Sequence, residues 1–196
     1  MNKNIEHYVF HKENFLDEKY CDNCIYELNR CTWENHEWYN SRIASQDEKI
    51  SAGDKELEVL HSEMFSFNIE KINETIVQKL HSTILEYIES FKFDWFYEWT
   101  GYSAIRFNRY FSGKIMQNHC DHIQSMFDGE RRGIPILSIV GILNDDYEGG
   151  ELIMFEDKKI DTKKGDILIF PSNFLYPHEI TPVTKGVRYS YVSWIW

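Results

Sequence analysis

Nowhere in the 196 residues do roughly 18 apolar side chains run together, so no stretch has the length to cross a bilayer as a helix. The opening segment "MNKNIEHYVFHKENF" lacks the apolar run of a secretory leader. Both absences lead to the expectation of a soluble, cytoplasmic chain without membrane contact. Proline is scarce, at four residues, and no internal repeat or low-complexity tract interrupts the chain. With 42% hydrophobic and 16% aromatic residues the chain can bury a core, which excludes a disordered class. Basic residues are in deficit: 21 Lys plus Arg stand against 32 Asp plus Glu, a net charge of −11. Such a surface repels polyanions on average and argues against nucleic-acid binding.

Cysteine is sparse too, at four residues. Cys21 and Cys24 have zinc-ligand spacing, and Cys31 or His36 could extend the set. Against zinc, Leu16, Tyr20, Cys21, Cys24, Ile25 and Leu28 recur at helical spacing, which places both thiols on one apolar stripe. Buried free cysteine in a reduced compartment is the simpler reading.

What is present divides by texture. Residues 1–100 read as mostly helical support, first in "FLDEKYCDNCIYELN" and then in "INETIVQKLHSTILEYIESF", where Ile72, Ile76, Val77, Leu80, Ile84, Tyr87, Ile88 and Phe91 keep a helix period. Between them residues 41–58 are polar and read as a solvated loop, with a lid over a substrate as the alternative. From residue 101 short β-branched and aromatic runs alternate with Gly, Asn, Asp and Pro: "YSAIRFNRYF", "IPILSIVGILN", "GELIMF", "KKIDT", "GDILIFP", "LYPHEI" and "GVRYSYVSWIW". Strands at this density predict a sandwich or jelly roll, with the helices packed on one sheet of a single α+β domain over residues 1–196.

The chemistry concentrates in "NHCDH". In extended chain i and i+2 share a face, so His119 and Asp121 point together while Cys120 and His122 point away. His178, in "LYPHEI", supplies a second imidazole. Two histidines and one carboxylate on one face of an octahedron suit Fe(II), with three adjacent positions left for a chelating cosubstrate and O2; a zinc hydrolase could use the same trio. In the last run Arg188 and Ser190 share a face. A buried guanidinium fork beside a hydroxyl is a carboxylate receptor, and together with the metal it fits a small dicarboxylate bearing a 2-oxo acid.

The pattern His119-x-Asp121, His178 and Arg188-x-Ser190 resembles the Fe(II)/2-oxoglutarate-dependent dioxygenases. "RYFSGKIMQNHCDH", "LNDDYEGGELIMF", "KGDILIFPS" and "HEITPVTKGVRYSYVSWI" are similar in order and spacing to the prolyl 4-hydroxylase-like branch, bacterial and phage members especially. The resemblance spans residues 100–196. It implies a double-stranded β-helix, residues 101–196 forming the catalytic jelly roll, with iron on His119, Asp121 and His178. It also implies that Arg188 grips the distal carboxylate of 2-oxoglutarate, that Ser190 assists, and that Tyr110 donates a hydrogen bond to the cosubstrate. Fe(II), 2-oxoglutarate and O2 are the implied cofactors, with ascorbate a further candidate. The implied reaction converts 2-oxoglutarate to succinate and CO2 while hydroxylating an unactivated C–H bond, in a prolyl residue of a peptide or protein or in a small molecule. One point departs from the branch: collagen-type members carry lysine where Arg188 stands, which moves the chain toward divergent members.

Other readings leave marks of their own. Asn108-x-Tyr110 resembles the cosubstrate-binding pair of oxygenases that repair alkylated nucleic acids, but the net charge and a single arginine in the final run oppose it. A non-catalytic jelly-roll binding module would have no reason to keep triad and arginine together. Gly149 and Gly150 read as a turn, Asp145 and Asp146 as its decoration, and Trp194 and Trp196 as core. Arg131 and Arg132, on the loop 122–133, read as a solvated face, with a lid whose arginines contact a substrate carboxylate as the alternative.

Overall fold

Period-two alternation in the C-terminal runs becomes antiparallel sheet with two different buried faces. The coordinates are a computed structural model that describes residues 4–39, 49–51, 54–92, 99, 101–121 and 135–196. In chain order the strands are β1 (Phe10–Lys12), β2 (Glu34–Asn35), β3 (Glu37–Tyr39), β4 (Lys49–Ser51), β5 (Glu58–Leu60), β6 (Arg106–Tyr110), β7 (Met116–His119) and β8 (Leu137–Ile142). They continue with β9 (Glu148–Gly149), β10 (Leu152–Met154), β11 (Lys158–Ile160), β12 (Ile167–Pro171), β13 (His178–Ile180), β14 (Val183–Lys185) and β15 (Arg188–Ile195). The helices are α1 (Glu18–Leu28) and α2 (Phe67–Phe91).

A seven-stranded sheet runs β1-β12-β8-β15-β6-β5-β2, and a four-stranded sheet runs β11-β10-β13-β7. Along β12, Leu168 and Phe170 face the small sheet, where they meet Leu152, Met154, Met116 and Ile180. Their neighbours Ile167 and Ile169 face the helices, where they meet Cys24, Leu28, Ile76, Leu80 and Ile84. The large sheet therefore carries one core on each face. This is the jelly roll with helices on one sheet that the sequence predicts.

Both helices start where the sequence offers a cap. The Asp17 carboxylate accepts from the Tyr20 amide at 2.8 Å, and Ser66 Oγ accepts from Ile69 N at 3.4 Å. The Ser66 cap starts α2 earlier than the apolar period at Ile72 suggests. Along α2, Ile69, Ile72, Ile76, Leu80, Ile84 and Tyr87 are buried, and each such side chain contributes about 1.5–3 kcal/mol of burial. Cys21 and Cys24 lie on the buried face of α1 as free thiols, and burial pushes the Cys21 thiol up to about 12.

The N-terminal half is more than helical support, because β1 pairs with β12 and β5 with β6 at the flanks of the large sheet. These strands are three residues each, too short to leave a period in the sequence. Of the polar stretch 41–58, residues 49–51 pair with β3 and Glu58 opens β5; residues 40–48 and 52–53 lie outside the described residues, as do 122–134 with His122, Arg131 and Arg132. Gly149 and Gly150 both adopt positive φ, as their reading as a turn requires. No helix among the described residues is long and apolar enough to cross a membrane.

One glycine is required by contact. A Cβ on Gly141 would lie 1.9 Å from the Tyr191 ring, across the β8–β15 ladder on the helix-facing side. Gly141→Ala is expected to destabilise the protein by about 2–3 kcal/mol in urea unfolding, because the ring has no room to withdraw.

Candidate active site

His119 and His178 are direct cross-strand partners of β7 and β13, so two short strands of the small sheet set the imidazoles side by side. Their ring centres are 4.4 Å apart. His119 Nδ1 lies 2.7 Å from Gln117 O and His178 Nδ1 lies 3.1 Å from Tyr176 O. Each Nδ1–H donates to its carbonyl, which leaves both Nε2 lone pairs directed at one point. Asp121 Oδ1 completes the group at 3.3 Å from His119 Nε2 and 3.8 Å from His178 Nε2. Among the described residues these three are the group able to hold a metal ion, with candidate ligand atoms all within 4.8 Å of one another.

Their electrostatics keep the ligand forms. Burial alone would raise the Asp121 carboxyl, but the two imidazoles and a hydrogen bond from Ser138 outweigh it and hold the group far below the ordinary carboxylate range. Burial pulls His178 down, with Asp121 acting against it. The close N···O contacts thus set an anionic carboxylate beside two imidazoles, with donor atoms converging as a cation requires. Ser138 belongs to the large sheet and shares a hydrogen bond of 2.8 Å with Ser172, so Asp121 is tied to one sheet and the histidines to the other.

Arg188 is 1% exposed at the start of β15. Its Nη1 donates to Ser190 Oγ at 2.9 Å, and its guanidinium carbon stands 5.1 Å over the ring of Tyr110, its cross-strand partner. Its Nε is sealed without an acceptor, and no carboxylate of the described residues pairs with it. A buried guanidinium with an unfilled donor fits an arriving carboxylate. Burial raises the Tyr110 phenol despite Arg188 and Arg106 nearby, so it remains a proton donor.

Several groups at the site left no clear mark in the sequence. Ser138 is one, Arg106 another: its Nε donates to Asn108 Oδ1 at 3.1 Å and its guanidinium carbon lies 5.3 Å from the Trp194 ring. A signal existed, since Arg106 shares parity with Asn108 and Tyr110 in "RFNRY". Trp194 is half-buried against that guanidinium rather than deep in the core. The third is the buried pair His36 and Glu56, with Nδ1 2.8 Å from Oε2. Burial first, and then the charges of Arg106, His119 and His61, push His36 down to about 3, so it meets Glu56 as a neutral donor and not as an ion pair. Asp145 and Asp146 do decorate the turn: Asp146 accepts from Asn144 Nδ2 at 2.6 Å and Asp145 from the Lys164 amide at 3.3 Å.

Comparison with known proteins meets this geometry. Residues 105–196 match the model of the 2OG-Fe(II) oxygenase superfamily. This half of the chain is a 2OG-Fe(II) oxygenase domain. A PKHD-type hydroxylase of Idiomarina loihiensis is 34% identical over 96 residues, 47% of this chain and 42% of the relative. The chain thus spans about two fifths of the length of the curated relatives it matches. Among solved structures, a prolyl hydroxylase of Trichoplax adhaerens in complex with a hypoxia inducible factor peptide fragment is 19% identical, with a TM-score of 0.69 over 96% of this chain and 83% of that one. The viral collagen prolyl hydroxylase of Paramecium Bursaria Chlorella virus-1 is 18% identical, with a TM-score of 0.63 over 96% and 94%. These likenesses carry the oxygenase fold across the N-terminal half, beyond the matched domain.

In the oxygenase domain the donor set suits Fe(II), with nitrogen, nitrogen and carboxylate oxygen converging from one side. Asp121→Asn keeps the shape but removes the anionic ligand. It should lower Mn(II) or Fe(II) affinity by more than about a hundredfold in anaerobic calorimetry.

Proposed function

We propose that the chain is an Fe(II)- and 2-oxoglutarate-dependent dioxygenase that hydroxylates an unactivated C–H bond in a prolyl residue of a peptide or protein, with succinate and CO2 as coproducts. The observation that carries this reading is the pairing of a three-ligand metal cradle with a buried, acid-free guanidinium inside one barrel. When bound, iron would activate O2, the oxidant, with 2-oxoglutarate giving two electrons as it becomes succinate and CO2 and the C–H bond giving the other two.

The chain's own residues hold and orient. His119, Asp121 and His178 would hold the metal, with cosubstrate and O2 taking its remaining positions. Arg188 and Ser190 receive the distal carboxylate, and the Tyr110 phenol donates to the same ligand. Val140, Ile142, Leu152, Met154 and Leu168 wall the interior with apolar surface and keep water from the reacting centre. The prolyl substrate rests on the hydroxylase names of the relatives and on the solved neighbour that holds a peptide. A soluble cytoplasmic enzyme acting on a peptide partner fits this chemistry.

Anaerobic protein with Fe(II) and 2-oxoglutarate should develop a weak visible charge-transfer band; no band from protein with the triad intact would sink the proposal. Replacing the fork in Arg188→Gln should weaken 2-oxoglutarate about 30-fold or more in titrations of that band. Succinate release across a panel of proline-containing peptides, free proline and methylated oligonucleotides identifies the substrate. A prolyl substrate requires release coupled to a peptide or to proline, and coupling to the oligonucleotides alone would overturn it.

A further inference from the structure

Inward-facing rungs of the large sheet lead from the metal triad into the barrel. Trp194 faces Ser138; Val192 faces Val140 on one side and Arg106 on the other; Ser190 faces Ile142 and Asn108; Arg188 faces Tyr110. Ser138 hydrogen-bonds Asp121, so its rung marks the metal end, and Arg188 closes the far end. Arg106 stands between them, one rung in from the metal. Its side chain leans inward, Nε donating to Asn108. Arg188 leans the opposite way, Nη1 donating to Ser190. Asn108 and Ser190 are direct partners, so the two hydrogen bonds meet between the arginines, while the Arg106 guanidinium carbon lies 5.3 Å from the ring of Trp194 on the metal-end rung.

The strand treats its arginines differently. Arg109, on the outer face of β6, has an acid: its Nε donates to Glu58 at 2.9 Å. Neither inward arginine pairs with a carboxylate among the described residues. The terminal nitrogens of Arg106 make no hydrogen bond to those residues and are not sealed from the cavity. Burial depresses its guanidinium, while Tyr110 and Asp121 act in its favour, so its head lies within reach of the metal ligand's charge. Two inward guanidinium groups without a paired carboxylate among the described residues are costly to hold unless an anion reaches them. The cosubstrate proposed above is a dianion with a carboxylate at each end.

We infer that Arg106 binds the metal-end carboxylate of 2-oxoglutarate, the one beside the 2-oxo group, while Arg188 takes the distal carboxylate. The inference rests on the cosubstrate reading of the site. Arg106 is then a positioning residue that fixes the chelating end before iron chemistry begins. The two arginines divide one ligand: the distal fork selects chain length, and Arg106 selects the 2-oxo acid.

Equilibrium binding tests it without turnover. Anaerobic Fe(II) protein is titrated through its charge-transfer band, and Mn(II) protein by calorimetry, with 2-oxoglutarate and with 2-oxobutyrate, which keeps the 2-oxo acid and lacks the distal carboxylate. Arg106→Gln should raise Kd about tenfold or more for both ligands, whereas Arg188→Gln should raise it for 2-oxoglutarate alone. Arg106→Met keeps an unbranched apolar stem and should repeat the Arg106→Gln pattern, which guards against a packing effect at the glutamine. Kd values within about twofold of wild type for both ligands, in variants that bind Mn(II) normally, overturn the inference. So does a loss for 2-oxoglutarate that spares 2-oxobutyrate, because Arg106 would then serve the distal end. Wild-type protein that binds Mn(II) but neither oxo acid sinks the cosubstrate reading instead.

Discussion

The Tyr191 ring lies across the space that Gly141 leaves by having no Cβ, and this contact pins β15 against β8 on the face that meets the helices. The register it fixes decides what faces inward. With Tyr191 outside, Arg188, Ser190, Val192 and Trp194 all turn toward the small sheet, and the ladder to β6 then turns Arg106, Asn108 and Tyr110 the same way. A slip of one residue would send the charged set into the apolar helix interface and bring Tyr189 and Tyr191 into the barrel. Asn144 reinforces the register just past β8, its Oδ1 accepting from Tyr189 N at 2.7 Å and its Nδ2 donating to Val187 O at 2.7 Å. The packing of an aromatic ring on the distal face thus sets the chemistry on the near face.

Inside, charge is arranged by sheet. The small sheet carries the two histidines, each held through Nδ1 by a carbonyl two residues earlier in its own chain. The large sheet carries the cations Arg106 and Arg188, and through Ser138 it holds the carboxylate Asp121. A metal bound to the triad would join the sheets. The interior holds two inward guanidinium groups, neither paired with a carboxylate among the described residues, although the whole chain carries −11. Net charge therefore says little about the pocket: the acidic surface disfavours polyanions, while the interior asks for a small anion.

Some of this was open to reading from the sequence alone. The meeting of His119, Asp121 and His178 follows from parity within "NHCDH" and from a second histidine beside a strand, and the resemblance narrowed the metal and cosubstrate. The helices were legible because their burial is periodic and long. By contrast β1 and β5 owe their existence to partners far along the chain, Ile167–Pro171 and Arg106–Tyr110, and three residues cannot advertise such pairing. β7 was equally quiet: "MQNH" has a buried residue followed by two exposed ones, an edge strand without apolar alternation. Arg106 was missed for another reason. A strand arginine ordinarily points to water, and only the cross-strand register turns this one inward.

The division of labour between the halves follows from the same sheet. The matched oxygenase domain begins at residue 105, yet the large sheet continues on both flanks with strands from before that point, β1 on β12 and β5 on β6. The outer face of the domain, with Phe107, Ile139, Tyr189, Tyr191 and Ile195, is covered by α1 and α2. A fragment starting at 105 would expose that apolar face and leave β6 as a bare edge beside Arg109, whose acid Glu58 lies on β5. It would also lose the Tyr191 ring's cover on the helix side, and with it the packing that holds the register of Arg188. The helices pack on the face of the large sheet opposite the triad, yet the inward orientation of the arginines depends on the face they bury.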